Sequence, residues 1–399
     1  MSIFPIINTI DDVLWAIEGR DEFFVSDKGD FTIINYIVNK NDTFLDPDEI
    51  GISIQERLAR QIRRECRGIT FCNKTKKIIR RPLNKFFNVS EKVETQIQNL
   101  DFTTEHYVDE KIDGSFICPF FVNNEIFWGT KMAAEDFHYL VQRFVDDVWE
   151  EDKINYIEFC RELINYGYSP IFEFTHPEKR IVIDYGREPL LTFLAVRNMV
   201  TGEYLDLDKT WAIDYGIPVV RSRGKIEDPE KFMEYVHTLK NEEGFVIRWK
   251  SGYRVKVKAY EYVMIHKAKE AILFDRNIVE IILEEKLDDI KANLSVEENI
   301  NLTRFEEEIN NTIIRVAGTV LNTLLDIAYN EIDRKTFALE IAPTLDPYIR
   351  PIVFKNFSWE DVEPTKIFLD VRDKLRDNVI NTKRYEEIRS AWFPHVYYN

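Results

Sequence analysis

Lysines and carboxylates at the ends of short strands are the groups in this chain that could do chemistry. The segment "EKIDGSF" sets Lys111 two residues before Asp113-Gly114, with the hydroxyl of Ser115 just behind. A hairpin corner with a solvated lysine reads this way, and so does an amine held still to attack an electrophile. Three fixed letters are weak alone; their company along the chain is more telling. The strand "FWGTK" ends in Lys131, "FEFTHPEKRIV" sets Glu173 between two phenylalanines, and "NEEGFVIRWKSGYRVKVKAY" opens on Glu243-Gly244 and carries Lys256 and Lys258. Period-two alternation sends the last two ammonium groups to one face, where they repel each other unless water or an anion intervenes. Upstream, "ECRGITF" and "RRPLNKFFN" add Arg67, Lys85 and Phe87. Singly these are a strand-edge arginine, a loop lysine and a core aromatic. Together, in order, they point to a phosphate-bearing ligand.

The elements that must position these groups come in two textures. Up to about residue 260, runs such as "FTIINYIVN", "GITFCN", "GSFICPFFVNNEIFWGT", "SPIFEFT", "RIVIDY" and "PLLTFLAVRN" are short, rich in β-branched and aromatic residues, and bounded by Gly, Asn, Asp or Pro, which predicts strands. Helical spacing interrupts them in "EDFHYLVQRFVDDVWEEDKINYIEFCRELINYG" and "DPEKFMEYVHTLKNE". Helices do not alternate regularly with single strands, so the class is α+β with antiparallel sheets. Beyond residue 260 apolar residues recur at steps of three and four, with Val316, Val320, Leu321, Leu324 and Ala328 on one face. The chain therefore divides into residues 1–260, β-rich, and 261–399, all-helical, and its 399 residues are enough for two cores.

The formal net charge of −17 argues against a protein that simply coats nucleic acid or an anionic membrane. It hides a basic stretch from Arg57 to Lys85 in which Glu65 is the only acid. Basic clusters are commonly just solvated faces, but one interleaved with apolar strand residues in an acidic chain suits a phosphate-bearing ligand. The four cysteines (Cys66, Cys72, Cys118, Cys160) lack zinc-ligand spacing and read as free thiols in a reducing cytosol. The opening residues show no signal-like core, and no run of 18 apolar residues predicts a membrane span. The expectation is a cytoplasmic protein, and a monomer.

At this point the residues resemble a known family. The order "ECRGI", "RPLNKFFN", "EKIDGS", "FEF" with "RIV", "TGEY", "EGFV", "KVK" and "YVMIH" is similar to that of covalent nucleotidyltransferases, and within them the ATP-dependent RNA ligase 1 family of T-even-like phages. A fainter likeness continues at "LDDIK" and "DRKTFALE". The resemblance implies an adenylyltransferase domain in which Lys111 takes AMP on its amine. It implies that Tyr36, Arg67 and Lys85 hold ATP, that Phe87 packs near the nucleotide, and that Gly114 allows close approach to the ribose. Glu173 would read the ribose hydroxyls and, with Glu243, fit hydrated magnesium; Lys131, Lys256 and Lys258 would lie on the triphosphate beside Gly244. Tyr262 matches a tyrosine needed for activity. Asp288, or its neighbour Asp289, falls where the family has a magnesium-contacting aspartate. The partner implied is RNA with 5′-phosphate and 3′-hydroxyl ends, in particular a tRNA cut in its anticodon loop and read by residues 261–399.

A lysine attacks phosphorus only as the free amine, and an ordinary pKa of about 10.4 leaves well under one per cent in that form at neutral pH. Neighbouring cations favour the amine and also stabilise charge building on a pyrophosphate leaving group. A capping guanylyltransferase or a DNA ligase shares the Lys-x-Asp-Gly motif but is expected to follow the Lys-x-Lys strand with a β-rich domain; the helical tail disfavours both. A catalytically silent RNA-binding relative is the remaining alternative, and it would take no covalent label from ATP.

Overall fold

The computed structural model describes residues 3–37, 42–132, 135–205, 210–291, 294–358 and 362–398. By packing it divides into two units, Met1–Val263 and Met264–Asn399, so the boundary drawn from sequence at 260 falls at the start of a helix, Tyr260–Ala271.

The first unit holds thirteen described strands in three sheets. β1 (Phe23–Asp27), β2 (Phe31–Tyr36), β3 (Arg67–Cys72) and β4 (Ile78–Arg80) form the first, in that order. β5 (Phe87–Asn88) and β6 (His106–Glu110) belong to the third; β7 (Ser115–Val122), β8 (Glu125–Gly129), β9 (Tyr168–Thr175) and β10 (Leu190–Asn198) make the second, ordered β10-β9-β7-β8. β11 (Ser222–Arg223), β12 (Gly244–Trp249) and β13 (Arg254–Lys258) complete the third, ordered β11-β6-β12-β13-β5. All pairings between these strands are antiparallel except β13 with β5. The class is α+β, as the sequence pattern requires. β7 and β8 meet at Asn123-Asn124, both in the left-handed region (φ 50° and 68°), the conformation a two-residue hairpin turn demands and asparagine tolerates.

The structure corrects one local expectation, the "RIVIDY" strand, and resolves two readings that the sequence left open. The Lys111–Gly114 segment is not a hairpin corner: β6 and β7 lie in different sheets, and the motif is the crossing between them. "RIVIDY" forms no strand; its Val182 and Ile183 amides instead donate to Asp113 Oδ2 at 2.8 and 2.9 Å. The long helical pattern breaks into Glu135–Asp152 and Tyr156–Asn165, with Lys153 at φ 62° and Asn155 capping the second helix through the Glu158 amide.

The basic stretch is also mostly structural. Arg60 pairs with Glu49 and Glu56, Arg64 with Glu94, and Arg63 donates to the Ala16 carbonyl. Arg81 and Arg197, both fully buried, share Glu65: Arg197 grips both its oxygens at 2.6 and 2.7 Å, and Arg81 Nε donates at 3.2 Å. Burial opposes ionisation of Glu65, but the two guanidinium charges outweigh it and hold the carboxyl below its usual range. Lys76 and Lys77 stay exposed in the β3–β4 turn. Cys66, Cys118 and Cys160 are buried free thiols and Cys72 is half-buried.

In the second unit the 34-residue helix Val296–Tyr329 starts at a capping box, Ser295 and Glu298 exchanging side-chain and backbone bonds. It is long and apolar enough to cross a bilayer by length and composition. Yet Leu302, Phe305, Ile309, Ile313, Val316, Val320, Leu324 and Ile327 recur at steps of three and four on its buried face. They pack in one core with Ile367, Val371 and Leu375 of helix Pro364–Val379. Asp288 is exposed in the short helix Leu287–Lys291 of this unit, and the side chain of Asp289 lies outside the described residues.

Candidate active site

Antiparallel register brings the separated motifs together. β12 pairs with β6 so that Phe245 faces Glu110, and the Lys111 amide extends the ladder by donating to the Gly244 carbonyl at 2.9 Å. β13 pairs with β12 so that Lys258 faces Gly244. Lys111 and Lys258 therefore flank Glu243, which is 3% exposed and bridges them: Oε2 lies 2.7 Å from Lys111 Nζ and Oε1 lies 2.9 Å from Lys258 Nζ. Gly244 makes this possible. Its φ of 132° is closed to residues with a side chain, and an added Cβ would lie 2.1 Å from the Val257 carbonyl oxygen.

The crossing between sheets is pinned at Asp113. Its carboxylate accepts from the Tyr262 hydroxyl at 2.7 Å and from the two amides of the former "RIVIDY" strand, while its own amide donates to the Tyr185 hydroxyl at 2.8 Å. Tyr262 is buried, and burial first, then the Glu243 charge, pushes its phenol far above the usual range. Sequence reasoning gave Asp113 no role and passed over Tyr185. At Gly114 a Cβ would meet the Phe174 carbonyl oxygen at 2.7 Å, so the close packing of the motif on β9 requires glycine there.

A cavity of about 210 Å³ opens over the three sheets. Tyr36, Arg67, Lys85, Lys111, Glu173, Lys256 and Lys258 line it. Phe87 does not: it is 2% exposed in the core, and the aromatic walls are its neighbour Phe86 and Phe116, each 5.9 Å from the Arg67 guanidinium. Phe86 precedes the two-residue strand β5 and Phe87 begins it, and a two-letter repeat carries no signal for which of the two turns inward. Lys131 is not part of the lining, but its ammonium sits 3.7 Å over the Tyr36 ring, and Lys85 approaches that ring at 5.6 Å.

These cations crowd each other. Burial pushes Lys256 down to about 7, helped by the charges of Lys85, Lys258, Lys111 and Arg67. Burial pushes Lys131 down to about 8, with Arg67 and Lys85 adding. Lys85 is lowered mainly by burial. Among the described residues neither Lys256 nor Lys131 has a carboxylate partner within an ion-pair distance. Glu173 answers in the opposite sense: burial raises its carboxyl to about 7, against the pull of Lys111. The cavity is thus a cationic cup, its six lysines and arginines outnumbering Asp109, Glu110 and Glu173, with aromatic rings and the Lys111 amine in its lining. It suits a nucleotide polyphosphate. No cluster of three His, Cys, Asp or Glu groups among the described residues could hold a metal by itself; Glu173 and Glu243 offer the one or two carboxylates that magnesium takes when phosphates and water supply the rest.

Comparison with known proteins finds RNA ligases. Residues 65–267 match the family model described as RNA ligase. A putative RNA ligase of Thermovibrio ammonificans is 30% identical over 300 residues, covering 72% of this chain and 72% of that protein. A putative bifunctional polynucleotide kinase/RNA ligase of Autographa californica nuclear polyhedrosis virus is 27% identical over 57% of this chain, which spans 34% of the viral protein. Among solved structures, an archaeal ATP-dependent RNA ligase is 13% identical, with a TM-score of 0.44 and 73% of each chain covered.

Proposed function

The chain belongs to the RNA ligase family, and we propose that it joins an RNA 5′-phosphate to an RNA 3′-hydroxyl using ATP, with AMP carried on Lys111. The observation that carries this reading is the Lys111 amine at the rim of a cavity whose cations lack enough carboxylate partners. To attack, the Lys111 ammonium must first give up a proton, and Glu243, hydrogen-bonded at 2.7 Å, is the acceptor at hand. The amine then forms a P–N bond to the α-phosphorus as the bond to the bridging oxygen breaks, and pyrophosphate leaves with the electron pair. Fixed cations at Lys256, Lys258, Lys131 and Arg67 stabilise that charge without reorganising. An RNA 5′-phosphate oxygen next attacks the adenylate, freeing Lys111 and leaving AMP joined 5′-to-5′. Finally a 3′-hydroxyl attacks the RNA 5′-phosphorus, the phosphodiester forms, and AMP leaves.

Tyr36, whose ring two ammonium groups approach, and Phe86 supply surfaces for the base, and Glu173 an acceptor for the ribose hydroxyls. Magnesium would be held by Glu173 and Glu243 with the phosphates, and supplies charge neutralisation there. For Asp288, exposed in the helix Leu287–Lys291, a role toward magnesium rests on the family resemblance alone. The finer reading, that the RNA is a tRNA broken in its anticodon loop and read by the helical unit of a cytoplasmic monomer, rests on the family resemblance. Competition of broken tRNA against linear RNA of equal length for the full chain tests it, and equal use of both overturns it.

The central test is incubation with α-labelled ATP and magnesium. The protein takes a covalent label that acid releases as AMP, Lys111→Ala takes none, and GTP labels weakly. An unlabelled parent chain overturns the proposal.

A further inference from the structure

Arg80 is fully buried, on β4, with no carboxylate partner among the described residues. Its guanidinium spends its donors on neutral oxygens: Nη2 to the Gly68 carbonyl at 2.7 Å, Nη1 to the Thr130 carbonyl at 3.0 Å, and Nε to the Thr70 hydroxyl at 2.8 Å. The Phe120 ring lies 4.9 Å below it, and burial pushes its pKa down to about 10. A core gains more from an apolar side chain than from a charge held this way, so its presence calls for a geometric reason. Gly68 and Thr130 are the chain neighbours of Arg67 and Lys131, which come from different sheets. The two backbones also touch directly, since a Cβ on Gly68 would lie 2.7 Å from the Lys131 carbonyl oxygen. That same oxygen accepts from Asn35 Nδ2 at 3.3 Å, and Asn35 precedes Tyr36.

We propose that Arg80 is a positioning residue for adenylate formation, its guanidinium clamping the end of β8 to β3 and so fixing Arg67 and Lys131 at the spacing a triphosphate requires. Arg67, Lys131 and, through the Asn35 hydrogen bond, Tyr36 thereby hang from one buried clamp. The inference rests on the reading that Arg67 and Lys131 contact the phosphates of ATP. Lysine cannot replace arginine here, because one ammonium does not span two carbonyls and a hydroxyl in a planar fork.

The test uses full-length Arg80→Gln and Arg80→Lys in two assays: formation of lysyl-AMP as a function of ATP concentration, and sealing of pre-adenylated RNA without ATP. Misplacing the cations should raise the ATP concentration for half-maximal labelling by about tenfold or more, while sealing of pre-adenylated RNA, which uses no triphosphate, stays within about twofold of the parent. A second variant leaves the arginine in place: a methyl group in Gly129→Ala would lie 2.2 Å from Arg80 Nη1 and push the guanidinium aside. It should show the same split between assays. Parental ATP dependence in folded variants, or equal losses in both assays, overturns the clamp. A parent chain that labels while the variants do not respond sinks this inference alone; a parent that fails to label sinks the ATP-ligase reading and the clamp with it.

Discussion

Binding of a triphosphate in the cationic cavity should draw protons from solution, and more of them at pH 8 than at pH 6. Lys256 is held down to about 7 and Lys131 to about 8, first by burial and then by neighbouring positive charge. An anion settling among them favours the charged forms and lifts both values. At pH 8 a group of pKa about 7 is roughly one-tenth protonated and one of pKa about 8 half protonated, so returning both to about 10.4 takes up on the order of 1.4 protons. At pH 6 both already carry their protons and the uptake falls to roughly 0.1. Glu173, raised to about 7 by burial, contributes in the same direction, because nearby phosphate further disfavours its carboxylate. By linkage, affinity must weaken as pH rises through this window. The assay is calorimetric titration of a non-hydrolysable ATP analogue, without divalent metal, in buffers of different ionisation enthalpy at each pH. Lys256→Arg isolates the largest contributor: a guanidinium stays charged throughout, so uptake at pH 8 should fall by about 0.9 proton while binding persists. No uptake at pH 8, or an unchanged value in Lys256→Arg, would refute the reasoning.

Two further predictions concern the frame around the site. Glu65→Gln leaves the buried guanidinium groups of Arg81 and Arg197 without their carboxylate and should cost about 3–5 kcal/mol in urea unfolding; a loss under about 1 kcal/mol would show that the network contributes little. The lowered Glu65 carboxyl stabilises the fold above its unfolded-state value, and that contribution disappears as pH falls through the folded-state value. Gly244→Ala forces a side chain into the left-handed region and against the Val257 carbonyl, which should cost about 1–3 kcal/mol for strain and a similar amount for overpacking. Because Gly244 also accepts the Lys111 amide, lysyl-AMP formation should fall with it, and an unchanged unfolding midpoint with parental labelling would contradict the strand geometry.

Period-two alternation fixes which side chains of a strand share a face, and the common face of Lys256 and Lys258, two apart on β13, needed no more than that. The roles expected of Tyr36, Arg67, Lys85, Lys111, Glu173 and Glu243, by contrast, came from the family resemblance. The helical second unit was equally plain from its steps of three and four. Other features depend on partners far along the chain. Whether the basic stretch met phosphate or carboxylate depended on Glu49, Glu94 and the buried Glu65 being nearby, and local composition cannot report that. Phe87 was expected at the nucleotide, yet Phe86 lines the cavity and Phe87 is buried in the core, a choice between adjacent phenylalanines that tertiary packing makes. "RIVIDY" has the composition of a strand, but its amides found a better acceptor in Asp113 than in a neighbouring strand. The sequence by itself determined the residue types, their order and their local periodicity. Tertiary structure decided which charges meet, and so set the depressed lysines, the raised Glu173 and the Lys111–Glu243 pair, because burial and Coulomb interaction depend on distance in space.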